Sequence, residues 1–139
     1  MNRMKELLGI ALYTSVILGI EILLMDNWLW SAAPEHAYGL VIFVVVDVAL
    51  LTIMSMDPRI ATIGAAAIGL VEFGAMLGDA AFGAPAGIAS GSFKNYLFAD
   101  TIFNSLLVTQ MAIIILAAAS LAVSRFHNYR LATFGLRKS

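Results

Sequence analysis

Four long runs of apolar residues limit the folds open to this chain more than any other feature of its sequence. The runs cover residues 7–25, 38–56, 60–82 and 101–123. Each approaches the roughly 20 residues that an α-helix needs to cross about 30 Å of hydrocarbon. Because a backbone in lipid must satisfy its own hydrogen bonds, each run is predicted to be helical. The sequence therefore predicts an all-α integral membrane protein, a single domain formed by a four-transmembrane-helix bundle.

Composition supports a membrane protein and removes several kinds of chemistry. Hydrophobic residues make up 61% of the 139 residues and charged residues only 12%, whereas soluble proteins carry about a quarter charged residues. The chain has no cysteine, which excludes disulfides, iron–sulfur clusters and thiolate zinc sites. It contains no phosphate-binding loop, nucleophile elbow or His-Glu-x-x-His motif. We therefore expect no catalysis by the chain alone, and membership of a membrane enzyme complex stays open.

The basic residues predict the orientation of the bundle. One side of the predicted membrane carries seven of them, namely Arg3, Lys5, Arg59, Arg125, Arg130, Arg137 and Lys138. Only Lys94 falls on the other side. Basic residues concentrate on the cytoplasmic side of membrane proteins. The sequence thus predicts a multi-pass protein of the cell membrane with both termini in the cytoplasm. The expected partners are the lipid bilayer and either other membrane subunits or further copies of the chain, with no nucleic acid.

Acidic and amide side chains in or near the apolar runs are the candidate site for protons or cations. A charged side chain at the membrane centre costs about 2.5–3.5 kcal/mol on insertion scales, so such residues usually face a bundle interior, a partner or water. The candidates are Glu21, Asp47, Glu72, Asp79, Asp100 and Asn104. Depth along the runs predicts Asp47 and Glu72 near the middle of the bundle. The other four are expected in its outer half.

Helical spacing groups some of these residues. Glu72 and Asp79 are seven residues apart and share one helix face. Asp100 and Asn104 form an i, i+4 pair, whereas Gln110 faces another direction. No Lys or Arg lies inside any run to neutralise the acids. Three interpretations stay open: neutral acids that bond between helices, acids that meet a partner subunit, lipid or cofactor, and acids that form a proton or cation path.

Two further features are weaker candidates for function. His36 is expected at the outer interface and His127 at the inner one, about a bilayer thickness apart, so the two cannot ligate one haem. His36 with outer acids such as Glu35 is a weak candidate metal site, and the sequence identifies no cofactor. Gly74 and Gly78 form a Gly-x-x-x-Gly pair, which is predicted to allow close packing with a helix of this chain or of another subunit.

Two functions from different classes are consistent with these observations. The first is a non-catalytic subunit of a larger membrane complex, such as an energy-transducing or oxidising assembly, because the chain is small and lacks a complete cofactor site. The second is a small proton- or cation-coupled transporter that uses the buried carboxylates. Small size, minimal loops and the lack of paired half-repeats favour the subunit at this stage.

Overall fold

Six helices make up the described part of the chain. The computed structural model describes the backbone of residues 2–133 and the side chains of residues 3–125. The helices are α1 Asn2–Met25, α2 Asn27–Ala32, α3 Pro34–Met56, α4 Pro58–Phe82, α5 Ser90–Ala99 and α6 Thr101–Thr133. Of these, α1, α3, α4 and α6 are long and apolar enough to span a membrane. The prediction of an all-α, four-helix membrane bundle is therefore confirmed.

The ends of α3 and α4 follow from local sequence chemistry. Proline occupies the first turn of both helices, where its missing N–H costs no hydrogen bond. Pro34 starts α3 four residues before the predicted run, so His36 and Asp47 belong to one helix. Asp57 separates α3 from α4, and its Oδ1 accepts hydrogen bonds from the backbone N–H groups of Arg59 and Ile60 at 2.9 and 3.2 Å.

Two short helices cover one end of the bundle, where the sequence indicated loops. Ser, Gly and Ser are typical turn residues, so residues 90–92 taken alone predict a loop; that prediction is wrong, because they form the first turn of α5. The carbonyl of Ala89 accepts hydrogen bonds from the N–H groups of Ser92 and Phe93 at 2.9 and 3.1 Å. Phe93 and Leu97, spaced i, i+4, give α5 a buried apolar face. We call the end that carries α2 and α5 the capped end, and the opposite end, with the α3–α4 junction, the turn end.

The four spanning helices form a ring in the order α1, α3, α4, α6, in which each packs against its two neighbours. An apolar core fills the turn-end half of the ring. Its buried members are Leu8, Leu12, Leu50, Ala65, Ile113 and Ala117. Large apolar side chains such as Ile10, Val45, Leu70 and Ile115 are exposed on the outside of the bundle. An apolar exterior of this kind suits contact with lipid tails.

Glycines allow close helix contact at positions other than the predicted pair. A Cβ atom built on Gly64 would lie 2.6 Å from Leu50 Cδ2, and one on Gly69 would lie 3.2 Å from Ile113 Cγ2. For Gly74 and Gly78, no atom of another described helix lies within 4 Å of that position. The described part of the chain therefore does not pack a helix on the Gly74–Gly78 face. Of the two alternatives, contact with another subunit stays a prediction.

Candidate functional site

A cluster of four polar side chains lies in the middle of the bundle, one from each spanning helix. Ser15 comes from α1, Asp47 from α3, Glu72 from α4 and Gln110 from α6. Each residue is only 2 or 3% exposed. We call these four residues the polar cluster. The sequence placed Asp47 and Glu72 near the middle of the bundle, and the structure brings the two acids together there.

Amide and hydroxyl groups surround the two carboxyls of the polar cluster. Gln110 Nε2 donates a hydrogen bond to Ser15 Oγ at 2.8 Å. Asp47 lies beside Ser15, Gln110 and Glu72, and Glu72 also lies beside Gln110. Two buried oxygens, Glu72 Oε1 and Gln110 Oε1, have no hydrogen-bond partner among the described residues. Buried polar atoms without partners are uncommon in folded proteins and often mark functional sites.

A small cavity of about 20 Å³ adjoins the polar cluster. Its lining includes all four cluster residues. A volume above roughly 10–15 Å³, measured in this way, holds one water molecule when polar partners surround it. The interior of the bundle can therefore accommodate one small polar species in contact with both carboxyls.

A larger cavity of about 320 Å³ lies at the capped end. Its polar lining residues are Asp26, Glu35, His36, Asp79, Tyr96 and Asp100. The rest of its lining is apolar, with Phe43, Phe93 and Phe103 supplying aromatic rings. Leu40, Phe43, Met76 and Leu106 line both this cavity and the small one. These four shared side chains thus separate the capped-end cavity from the polar cluster.

Asp79 and His36 face each other in the capped-end cavity. His36 Nε2 lies 3.5 Å from Asp79 Oδ1, and Nδ1 lies 3.9 Å from Glu35 Oε1. Gly83 makes room for this approach, because a Cβ atom there would lie 2.9 Å from His36 Nε2. The described residues contain no group of three His, Cys, Asp or Glu side chains arranged to hold a metal ion. His36 therefore lies within ion-pairing distance of Asp79, and its role as a metal ligand stays a prediction.

The junction of α1 and α2 is tied to α5 through Asp26 and Tyr96. Asp26 Oδ1 accepts a hydrogen bond from the backbone N–H of Leu29 at 2.9 Å and so caps α2. The Tyr96 hydroxyl donates to the other carboxylate oxygen of Asp26. Trp28 packs on the Tyr96 ring with their centroids 4.3 Å apart. Burial and the neighbouring Asp26 carboxylate raise the pKa of Tyr96 above its ordinary value.

Asp100 and Asn104, predicted to act as a pair, hold the junction of α5 and α6. Asp100 Oδ1 accepts a hydrogen bond from the Ile102 N–H at 2.8 Å. Asn104 Nδ2 donates to the carbonyl oxygens of Phe98 and Asp100, each at 2.9 Å. Asp100 also lines the capped-end cavity, whereas Asn104 does not. Asn104 thus satisfies carbonyls at the end of α5, which is a structural task.

Glu21 lies apart from the other candidates. Its side chain is exposed on the surface of α1, one turn before the helix ends. It forms no hydrogen bond or ion pair with any described residue. Glu21 therefore lies in the outer half of the bundle, as expected, but it does not line the cavity that Asp79 and Asp100 share. The physical reason is its helix position, because the buried face of α1 passes through Ser15 and Ile22 instead.

Ser15 and Gln110 are members of the site that sequence reasoning did not include. Both are uncharged and stand singly within apolar runs, so the cost of burying a charge did not draw attention to them. An amide and a hydroxyl at similar depths on two predicted spans were the available signal. His127, Arg130, Arg137 and Lys138 lie outside the residues whose side chains are described.

Comparisons with protein-family models, with curated proteins and with solved structures found no match to this chain. Any function must therefore be argued from the polar cluster and the capped-end cavity themselves.

The hydrogen bond between Tyr96 and Asp26 leads to a first prediction. Because the pKa of Tyr96 is raised in the folded protein, its contribution to stability is fully present below pH ~10, the ordinary tyrosine value, and is lost at higher pH. We expect Tyr96→Phe to lower the free energy of unfolding by about 1.5–3 kcal/mol, as for other hydrogen bonds to charged groups. Denaturant unfolding at pH 7 measures this loss. Tyr38→Phe, at an exposed ring, is the control and should change little.

Proposed function

We propose that the chain is a small membrane transporter that carries protons, with Asp47 and Glu72 as the residues that bind them. The observation that carries the proposal is the polar cluster, to which every spanning helix contributes one buried side chain. Two neighbouring carboxylates repel strongly in a medium of low dielectric when both are charged. The pair therefore holds at least one proton. Gln110 and Ser15 can stabilise the carboxylate that remains when a second proton leaves.

The two unpaired oxygens favour a role in proton binding over a purely structural role for the polar cluster. A structural network of neutral acids is most stable when every buried polar atom has a partner. Among the described residues, Glu72 Oε1 and Gln110 Oε1 are buried without a partner, and both residues line the small cavity. These two oxygens can accept hydrogen bonds from a water or hydronium ion of matching size. A proton on such a species can then pass to Glu72 within the small cavity.

Access to the polar cluster differs between the two ends of the bundle. Towards the capped end only Leu40, Phe43, Met76 and Leu106 separate it from a cavity of about 320 Å³. Towards the turn end the apolar core closes the bundle. Access from one side at a time is what a transporter needs to avoid a continuous leak. Because the predicted basic side is the turn end, we infer that the cavity opens to the outside of the cell membrane.

Proton entry into proteoliposomes tests this proposal. Liposomes holding a pH-sensitive dye receive an acid pulse outside, with valinomycin and potassium present to hold the membrane voltage at zero. The wild-type chain should acidify the interior faster than protein-free liposomes do, and Glu72→Gln should remove the difference. Glu21→Gln is the matched control, because it neutralises an exposed acid on another spanning helix and should leave the rate unchanged. Wild-type liposomes no faster than protein-free ones would refute the proposal.

Exposed Glu21 is the specific observation that favours the second candidate function, a subunit of a larger membrane complex. A carboxylate on the lipid side of a membrane helix is unfavourable unless it reaches the interface or meets a partner. Under this alternative, Glu21 bonds to a polar or basic side chain of a neighbouring subunit. Native gel separation of mild-detergent extracts tests it: the chain should run within an assembly of fixed composition, and Glu21→Gln should release it. Migration as a single chain would exclude this candidate.

A further inference from the structure

The capped-end cavity has a strongly negative lining. Four carboxyl groups line it, from Asp26, Glu35, Asp79 and Asp100, and the only basic side chain among its lining residues is His36. His36 Nε2 lies 3.5 Å from Asp79 Oδ1, and the other three carboxyl groups have no basic side chain beside them among the lining residues that the structure describes. The cavity is therefore complementary in charge to a cationic ligand.

Aromatic and aliphatic groups form most of the remaining wall. Phe43, Phe93, Tyr96 and Phe103 line the cavity together with leucine and isoleucine side chains. The rings of Phe93 and Tyr96 are held in place by Trp28, at centroid distances of 6.0 and 4.3 Å. Aromatic faces attract cations, and the attraction strengthens when water is excluded. Small inorganic cations instead need several oxygen ligands, and the described residues contain no such cluster of three side chains.

The size of the cavity also suits an organic molecule. Its volume of about 320 Å³ lies within the range of roughly 300–1,000 Å³ found for small-molecule sites. Such sites combine a mainly apolar lining with a few polar groups that orient the ligand. Asp26 directly follows α1, Glu35 and Asp79 lie near the capped ends of α3 and α4, and Asp100 directly precedes α6, so a ligand placed among these acids would lie beside every spanning helix.

We propose that the capped-end cavity binds a free, amphipathic, monovalent organic cation, an ammonium group carrying an aromatic or branched apolar substituent. The charged group lies among the carboxylates near Asp26 and Asp100. The apolar substituent packs against Phe43, Phe103 and Leu106, deeper in the bundle. This binding site is separate from the polar cluster, and the proposal does not require that Asp47 and Glu72 carry protons.

Equilibrium binding of radiolabelled benzyltrimethylammonium to the full chain in phosphatidylglycerol nanodiscs tests this site. These lipids contain no ammonium group. We expect the binding to be saturable. Benzyl alcohol, a neutral compound with the same ring, should displace the labelled cation only weakly. Lack of saturable binding, or equally strong competition by benzyl alcohol, would overturn the proposal. Because binding is measured without any proton gradient, failure here would be distinct from failure of the proposed transport function.

A matched pair of variants separates the cavity from general charge effects. Asp100→Asn should weaken binding about tenfold, because a carboxylate beside the cation is lost. Asn is also a good helix cap, so the bond to Ile102 should persist. Asp57→Asn removes a carboxylate that caps α4 in the same manner at the turn end, and binding should stay unchanged. Equal weakening by both variants would contradict a site at the capped end.

Two further arms test the aromatic wall and the source of the cation. Phe103→Leu should weaken binding several-fold, whereas Phe82→Leu, at a ring that is 90% exposed, should not. If Phe103→Leu bound as tightly as Phe82→Leu, the aromatic wall would make no contribution to binding, and this would contradict the proposed position of the ligand.

Binding should also persist when phosphatidylcholine replaces part of the nanodisc lipid. If choline lipid instead blocks the site, the cavity holds a lipid headgroup and the proposal of a free ligand is wrong.

Discussion

Replacement of Glu72 by methionine should abolish proton entry into proteoliposomes and leave the bundle at least as stable as the wild type. Methionine has a similar length and no group that needs a hydrogen bond. Gln110 keeps its bond to Ser15 at 2.8 Å, so the variant creates no new unpaired donor. Because Glu72 Oε1 has no hydrogen-bond partner among the described residues, removing this carboxyl also removes the cost of burying an unsatisfied polar atom. Loss of function with unchanged or higher stability would mark Glu72 as a residue kept for activity.

Dye acidification in proteoliposomes measures the first effect, and unfolding in mixed micelles measures the second. Gln110→Leu is the informative comparison, because it removes the donor beside both carboxyls while leaving both acids in place. We expect it to lower the free energy of unfolding by about 1–3 kcal/mol, the cost of leaving buried polar groups unsatisfied. If Glu72→Met were instead the more destabilising of the two, Glu72 would be a structural residue. The proton-binding role would then lose its main support.

Substitution of Gly64 by leucine should destabilise the apolar core at the turn end. A Cβ atom there would lie 2.6 Å from Leu50 Cδ2, and Leu50 is itself buried in the apolar core. Overpacking of this kind typically costs about 1–3 kcal/mol, through displaced side chains and backbone. Because Leu50 and Ala65 belong to the core that closes the turn end, the variant should also increase proton leakage.

Gly74→Leu is the matched control on the same helix. Its Cβ position has no described atom of another helix within 4 Å, and leucine inserts favourably into lipid. Unfolding in mixed micelles should therefore change little for Gly74→Leu and much for Gly64→Leu. Equal destabilisation by both would mean that another molecule covers the Gly74–Gly78 face. That result would revive the subunit interpretation of this glycine pair.

The sequence predicted the spanning helices well because their signal is strong and continuous. Each run is long enough for a bilayer, and Asp57-Pro58 marks a helix boundary by simple backbone chemistry. The short helices α2 and α5 were missed because their formation depends on tertiary packing. Phe93 in α5, for example, is buried against Trp28 and Ala80, which are distant in the sequence.

The candidate site was predictable only in part. The depth of Asp47 and Glu72 along their helices identified them as candidates, because a charged side chain in lipid is energetically unfavourable and therefore uncommon without a role. Depth alone could not give the rotation of α1, which turns Glu21 outward, since nearly all faces of that helix are apolar. Gln110 and the capped-end cavity depend on how four helices pack in a ring. No local pattern contains that information.

Two carboxylates of the cavity wall belong to residues that connect consecutive helices. Asp26 is the single residue between α1 and α2, and Asp100 is the single residue between α5 and α6. Each accepts a hydrogen bond from a backbone N–H group of the following helix, through the same carboxyl group that lines the cavity. A cation bound as proposed would compete with these two N–H groups for the same carboxylates. Occupancy of the cavity and capping of α2 and α6 therefore depend on the same two side chains.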